Sequence, residues 1–393
     1  MPWGRGPKMT RTARWKRTGI SLVLSAVAVL GAGSWTAGVE QTAVTGPAPG
    51  AAAWRADPVL GVALPDPATA APSRVAGFFA RLDARERELL VRRHPLTAGN
   101  LDGVPAEVRY RANERALRAE YAAQHGRSAD TSLPGRERDH AAERARRVRL
   151  LLAGDRHILA FDPRGRGQVA EVFGDLDRAR HVAVVVPGSD ADLMFYDGEE
   201  AGPHVGWSGR ARSLYERMRS DAPGTPVAVV VWVGYTTPVG LGVDAATDRL
   251  AEAGAPRLER FLAGLAAIGT PVPAVLCHSY GSVVCGLAAP RAGRGTIADL
   301  VLFGSPGVRA GSVAELGTDA AVWAARAPSD WVRTVAGVNL LGLGHGTDPV
   351  DPDFGARRFC AAHVRDHGGY FDPGSDALRA FSAIALGRSV TPC

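Results

Sequence analysis

The sequence predicts an α/β protein: a mostly parallel, doubly wound sheet with an N-terminal helical extension. Three observations carry this. Short runs that are apolar throughout recur between residues 182 and 325 and alternate with helical patterns, as expected where helices cover both faces of a parallel sheet. One of these runs, 272–276, ends abruptly in Cys277-His278-Ser279-Tyr280-Gly281, with small and β-branched residues after it. That order reads as strand, sharp turn and helix. Before the first strand signal, residues 73–153 carry amphipathic helical spacing.

The chain has 393 residues and a formal net charge of +6. Six basic residues, Arg5, Lys8, Arg11, Arg14, Lys16 and Arg17, stand near the start with no acid among them. Without them the remaining 40 basic residues balance the 40 acidic ones. The excess is one local block, so no nucleic-acid surface is expected. The block precedes residues 20–39, a run without charge. Basic residues before an apolar run are the pattern of a secretory signal, and the run is near bilayer-spanning length. Residues 1–40 are therefore expected to be a signal peptide or an N-terminal membrane anchor. The expected localisation is secreted, or anchored to the outer face of the cell membrane, with membrane contact through residues 20–39. Residues 41–72 carry Pro47, Pro49, Pro58, Pro65, Pro67 and Pro72 among Ala, Gly and Thr. They read as a semi-extended, poorly packed linker.

Helical spacing begins at Ser73. Phe78, Phe79, Leu82, Leu89 and Leu90 share one face, and His94-Pro95 ends the helix. Gly99-Asn100-Leu101-Asp102-Gly103 is turn chemistry. Pro105 opens a second helix, with Val108, Ala112, Ala116 and Ala119 inward. A third runs from about 138 to 152, where Arg144, Arg146, Arg147 and Arg149 read as a solvated face. Strands follow at 158–162 and 167–173, joined by a hairpin-like link, and then at 182–186, 227–233, 272–276, 297–303 and 321–325. The opening hairpin supplies an antiparallel edge, and the domain is expected to span 154–393. A last amphipathic helix covers 376–386.

The turn at Ser279 fits a nucleophile elbow, in which a serine hydroxyl is lifted to the tip of a sheet and the next amide faces the oxyanion. Cys277 stands where that pattern has its first glycine. Ligands of a parallel sheet lie beyond the carboxyl ends of the strands, so the residues after each strand are the candidates. After 182–186 comes Pro187-Gly188-Ser189-Asp190, whose turn can supply an oxyanion-hole amide at Gly188 or Ser189 beside that of Tyr280. After 321–325 comes Asp330, the favoured acid on strand placement; Asp348, Asp351 and Asp353 compete from a loop dense in turn residues. Three histidines, His345, His363 and His367, follow the acid in the chain. His367 is favoured as the base, because Asp366-His367-Gly368-Gly369 is a late loop of small residues. His278 points away from the serine and is expected to pack or to make a supporting bond. Of the four cysteines, Cys277 and Cys285 are expected to be buried, small apolar residues, and Cys360 and Cys393 to pair in an exported protein. Their spacing suits no metal, and no cofactor motif is present.

Several segments resemble one family: Arg93-His94-Pro95, Gly99-Asn100-Leu101-Asp102-Gly103-Val104-Pro105 and Arg109-Tyr110-Arg111-Ala112-Asn113; the stretches 181–188 and 278–282; and His345-Gly346, Asp348-Pro349-Val350-Asp351-Pro352 and Phe354-Gly355-Ala356. Together they are similar to an α/β-hydrolase family of high-GC Gram-positive bacteria, formerly catalogued as a domain of unknown function. The resemblance covers about residues 75–388. It implies an α/β-hydrolase fold and a serine-type site at Ser279, Asp330 and His367. The family usually has Gly-His-Ser-Tyr-Gly at the elbow, from which Cys277 departs. The expected activity is that of an exported serine hydrolase acting on a carboxylic ester, small or lipid-like, with the helices of 75–152 covering the site. The alternatives are a non-catalytic cell-surface module on the same fold, or an amide or peptide hydrolase with the same three residues.

Overall fold

A computed structural model describes residues 40–198, 206–337 and 343–390. The basic block, the apolar run 20–39 and Cys393 lie outside these residues. No described helix is long and apolar enough to cross a membrane.

The described chain opens with α1 (Ala51–Ala56), α2 (Pro72–Ala80), α3 (Ala84–Arg93), α4 (Pro95–Asn100), α5 (Ala106–Ala129) and α6 (Gly135–Leu151). The sequence reading differs here in four ways. Residues 41–72 are not a loose linker: Trp54 is fully buried and its indole N–H donates to the Pro65 carbonyl, 2.8 Å. Its ring, with Leu64, Val75, Phe79, Leu90 and Val108, forms a core of its own, so one large aromatic gives a proline-rich segment something to pack on. The single helix expected from Ser73 is two, because Asp83 caps the amide of Glu86 while the Glu86 carboxylate accepts from the Asp83 amide. That reciprocal cap starts a helix rather than continuing one. Ala119 is exposed, whereas Arg109, Asn113 and Leu117 are buried on the inner face of α5. Finally, Arg144 and Arg147 are buried. Arg144 binds Glu120 and the carbonyls of Pro163 and Gly165, and Arg147 binds Glu143. Carboxylate and carbonyl partners replace the water these guanidinium groups would otherwise need.

The strands are β1 (His157–Asp162), β2 (Gln168–Gly174), β3 (His181–Val186), β4 (Val227–Val233), β5 (Ala274–His278), β6 (Asp299–Phe303), β7 (Ala321–Ala325) and β8 (Arg357–Arg358). They form an eight-stranded sheet of order β1-β2-β4-β3-β5-β6-β7-β8. β2 is antiparallel to both its neighbours, and the pairs from β4 to β8 are parallel. The short edge strand β8 has no apolar signature; both its arginines are exposed, and Arg357 lies over the Trp323 ring. A short charged edge discourages further pairing.

Between the strands run α7 (Trp207–Asp221), α8 (Val243–Ala246), α9 (Arg249–Ala267), α10 (Tyr280–Ala288) and, last, α11 (Asp376–Ala385). Side chains alternate across the sheet with period two. Ala183 and Val185 enter the core under α7 and α11, whereas Val182, Val184 and Val186 enter the core under α9 and α10. Both faces are covered, which is why these strands read as unbroken apolar runs.

The helical extension docks on the edge of the sheet. The Asn100 side chain donates to the Phe161 carbonyl and accepts from the Phe161 amide, pairing with β1 as a neighbouring strand would. Asn113 donates to the Gly99 and Ile158 carbonyls. β2, β4 and β3 separate β1 from β5. The expectation that these helices cover the serine is therefore corrected: they dock on the β1 edge, away from β5.

Candidate active site

The chain passes from β3 to β4 on one side and returns to β5 on the other, so β3 lies between the two directions of winding. Open α/β sheets bind ligands at that switch, beyond the strand ends. Ser279 lies there, with His367 and Asp330 bonded to it in turn.

Ser279 joins β5 to α10 with φ 53° and ψ −129°. A serine in that region of backbone space is strained and persists only where its surroundings hold it. They do. The Ser279 amide donates to the Phe303 carbonyl, 3.1 Å. The fully buried Ser282 donates its hydroxyl to the Ser279 carbonyl, 2.5 Å, and the Ser305 hydroxyl lies 2.6 Å from Ser282 Oγ. Cys277 and Cys285 form a disulfide across the elbow, with Cα atoms 6.5 Å apart. The sequence predicts buried, small apolar residues at these positions and does not predict the bridge. Both are buried, but the sharp turn folds α10 back over the end of β5 and brings residues 277 and 285 within bridging distance. Cys360 is also disulfide-bonded.

His367 and Asp330 meet at the serine. His367 Nε2 is 2.8 Å from Ser279 Oγ, and His367 Nδ1 is 2.9 and 3.0 Å from the two Asp330 carboxylate oxygens. The carboxylate fixes the proton on Nδ1, which leaves the Nε2 lone pair to accept from the serine hydroxyl. Asp330 is fully buried and also accepts from the Tyr370 hydroxyl, 2.7 Å, and the Val332 amide, 2.9 Å. Burial pushes its carboxyl up, but the bonds from His367, Tyr370 and Val332 outweigh burial and hold it below the ordinary range. Gly304, with φ 54°, lets β6 end against this pair: a Cβ there would lie 3.0 Å from Asp330 Oδ2 and 3.2 Å from His367 Cε1. The Trp331 ring stands 5.1 Å from that of His367 and is partly exposed.

The turn at Pro187–Asp190 lies against the elbow. A Cβ on Gly188 would sit 2.6 Å from Ser279 Cβ and 3.0 Å from the Tyr280 amide nitrogen, so only glycine fits. The Tyr235 hydroxyl donates to the Pro187 carbonyl, 2.7 Å, and the Asp190 amide to the Pro238 carbonyl, 2.9 Å, which fix the turn. Ser189 follows, half-buried. Tyr280 is the first residue of α10, where an amide has no acceptor within the helix. Gly188 and the Tyr280 amide thus stand beside Ser279, and Ser189 is the next residue of the same turn.

The rival acids and bases lie elsewhere. Asp348 pairs with Arg326 and accepts from the Val350 amide; Asp351 accepts from the Asp353 amide. His363 is exposed beside Asp376, and His345 is buried between Asp248 and the Ala245 carbonyl. His278 packs beneath His367, and its Nε2–H donates to the His367 carbonyl, 2.8 Å. Burial, with His367 and Arg210 nearby, pushes its imidazole well below the ordinary value, so it is neutral. Sequence reasoning missed Tyr370, Ser282, Ser305 and Trp331. Tyr370 and Trp331 stand three and one residues from His367 and Asp330, and that adjacency was the available signal.

Residues 162–340 match a family model described as alpha/beta hydrolase. An uncharacterised protein of Mycobacterium tuberculosis is 29% identical over 83% of this chain, which covers 57% of that protein. Another, from Mycobacterium bovis, is 34% identical over 41% of this chain and 59% of its own length. The chain thus spans little more than half the length of these curated relatives. Among solved structures, 2,6-dihydroxy-pseudo-oxynicotine hydrolase is 13% identical over 88% of this chain and 96% of its own, with a TM-score of 0.35, a likeness too distant to bear on function. The mostly parallel sheet, the strained serine turn and the match over residues 162–340 give the chain an α/β-hydrolase fold.

Proposed function

We propose that the chain is an exported serine hydrolase that cleaves carboxylic esters with Ser279 as nucleophile, His367 as base and Asp330 as the acid that orients it. The observation that carries this is the unbroken line of hydrogen bonds from Asp330 through His367 to a serine held at positive φ. Ser279 is a poor nucleophile until His367 Nε2 takes its proton as Oγ attacks the ester carbonyl. Asp330 keeps the imidazole in the productive tautomer and stabilises the imidazolium that forms. Amides at Tyr280 and in the Gly188–Ser189 turn receive the oxyanion. The imidazolium then protonates the departing alkoxide, and water, activated by His367, hydrolyses the acyl-serine.

Export is supported by the basic block and apolar run at the start of the chain, and by the disulfides at Cys277–Cys285 and Cys360, since such bonds persist in oxidising compartments. A fluorophosphonate probe is expected to label the wild-type chain and not Ser279→Ala. A panel of p-nitrophenyl esters of rising chain length is expected to turn over, with peptide amides inert. An unlabelled wild type overturns the hydrolase reading, and amides cleaved in preference to esters overturn the ester assignment.

A further inference from the structure

Large apolar side chains are exposed at only a few positions, and they are not scattered. Six of the eight among the described residues, Phe195, Val239, Leu241, Val243, Trp331 and Leu343, lie in the segments that follow β3, β4 and β7, at the carboxyl ends of the strands. A concentration of this kind marks an interaction surface, whereas single exposed apolar residues need no explanation. The segment after β4 is the centre of it: Val239, Leu241 and Val243 are 46%, 49% and 60% exposed, and residues 234–243 include no charged residue. This segment borders the serine. The Asp190 amide donates to the Pro238 carbonyl and the Gly240 amide to Asp190, and Asp190 belongs to the turn that touches Ser279. On the other side Trp331 flanks His367.

The same segment receives the start of the described chain. The Gln41 amide donates to Asp244, 2.9 Å, its side-chain amide to the Thr237 carbonyl, 2.7 Å, and the Val44 amide to the Thr236 hydroxyl, 2.9 Å. Val39, the last residue of the uncharged run 20–39, is two residues earlier in sequence. A run of bilayer-spanning length thus ends, in sequence, two residues before the segment bonded to this margin.

We propose that this margin rests on the lipid bilayer that holds residues 20–39, and that the substrate is a membrane-resident acyl ester which reaches Ser279 from the lipid phase. The centre of the margin suits it: residues 234–243 carry no charge and three of them expose large apolar side chains, beside the residues that follow the run 20–39 in sequence. Side chains that would be costly to expose to water are seated at the headgroup boundary, as in interfacial protein surfaces. The proposal rests on the ester-hydrolase reading for its substrate class, and on chain continuity for its occupant.

The test uses the full-length chain in phosphatidylcholine vesicles. In a Val239→Asp, Leu241→Asp, Val243→Asp variant, hydrolysis of a fluorogenic long-chain ester carried in the vesicle is expected to fall at least tenfold. Hydrolysis of p-nitrophenyl acetate in solution should stay within twofold. Leu241→Asp alone gives a smaller fall of the same sign. Fluorescence of Leu241→Trp is expected to be quenched by brominated phosphatidylcholine more than that of the wild type. Equal effects on both esters, no effect on either, or no added quenching overturns the proposal. Cross-links between two chains through residues 239–243 also overturn it, by assigning the face to a second copy. If fluorophosphonate labelling fails in the unaltered chain, the hydrolase reading falls, and the quenching result still decides membrane contact.

Discussion

His278 adjoins the nucleophile in sequence yet serves the base. Its Nε2–H holds the carbonyl of His367, while its Nδ1 is buried with no partner. Protonation at Nδ1 would place an unpaired charge among Trp207, Phe303 and Tyr370. Its folded pKa lies well below the ordinary 6.5, so its contribution to stability is complete above pH 6.5 and is lost as the pH falls below that value. We expect His278→Gln, which keeps a donor but does not titrate, to flatten the acid side of the stability profile between pH 6.5 and 5 by up to about 1.4 kcal/mol per pH unit. Its rate of fluorophosphonate labelling should change little. Urea unfolding at each pH measures the first; an unchanged slope removes His278 as the acid-sensitive group. The sequence contained half of this. The geometry of an elbow turns the neighbour of the serine away, but which carbonyl that neighbour holds depends on a loop 89 residues later. For the same reason Ser279, His367 and Asp330 were legible from chain order, while Tyr370, whose hydroxyl completes the Asp330 shell, was not.

At the scale of elements, the elbow is tied twice: by hydrogen bonds through Ser282 and Ser305, and by the Cys277–Cys285 disulfide joining β5 to α10. Closing a loop with a sequence separation of 8 is worth roughly 2–3 kcal/mol on a chain-entropy basis. The double replacement Cys277→Ala, Cys285→Ala is expected to lower the melting temperature by several degrees, and a reductant to act on the wild type in the same direction. Melts that coincide with and without the replacement would show the bridge to be dispensable. Strands and helices were legible here because their periodicities are local. The strand expected at 272–276 lies at Ala274–His278 instead, since register is set by pairing with β3, where Val186 meets Cys277. The Cys277–Cys285 bridge was not legible for a related reason. A spacing of eight suits either a free thiol or a bridge, and only the sharp turn decides between them.

Across the whole molecule, the sheet order separates two tasks: the edge at β1 carries the helical extension, and the middle carries the site. The class of fold could be read in advance because burial on both faces leaves an apolar signature in the central strands, β3 to β6. The fate of residues 41–72 could not, because composition says what a segment is made of and not what pocket awaits it. Trp54→Ala tests whether that segment is part of the cooperative unit. Removing a fully buried indole should cost about 3–5 kcal/mol, seen as a lower urea midpoint by far-UV circular dichroism. A midpoint equal to that of the wild type would make the segment an accessory. The bonded state of the thiols has a practical side as well. Cys277, Cys285 and Cys360 are all in bridges, so among the described residues a maleimide reagent has no native target. A single cysteine engineered onto the exterior would therefore compete with no native thiol among the described residues for a spin label or dye, and distances between such reporters could be read from known addresses.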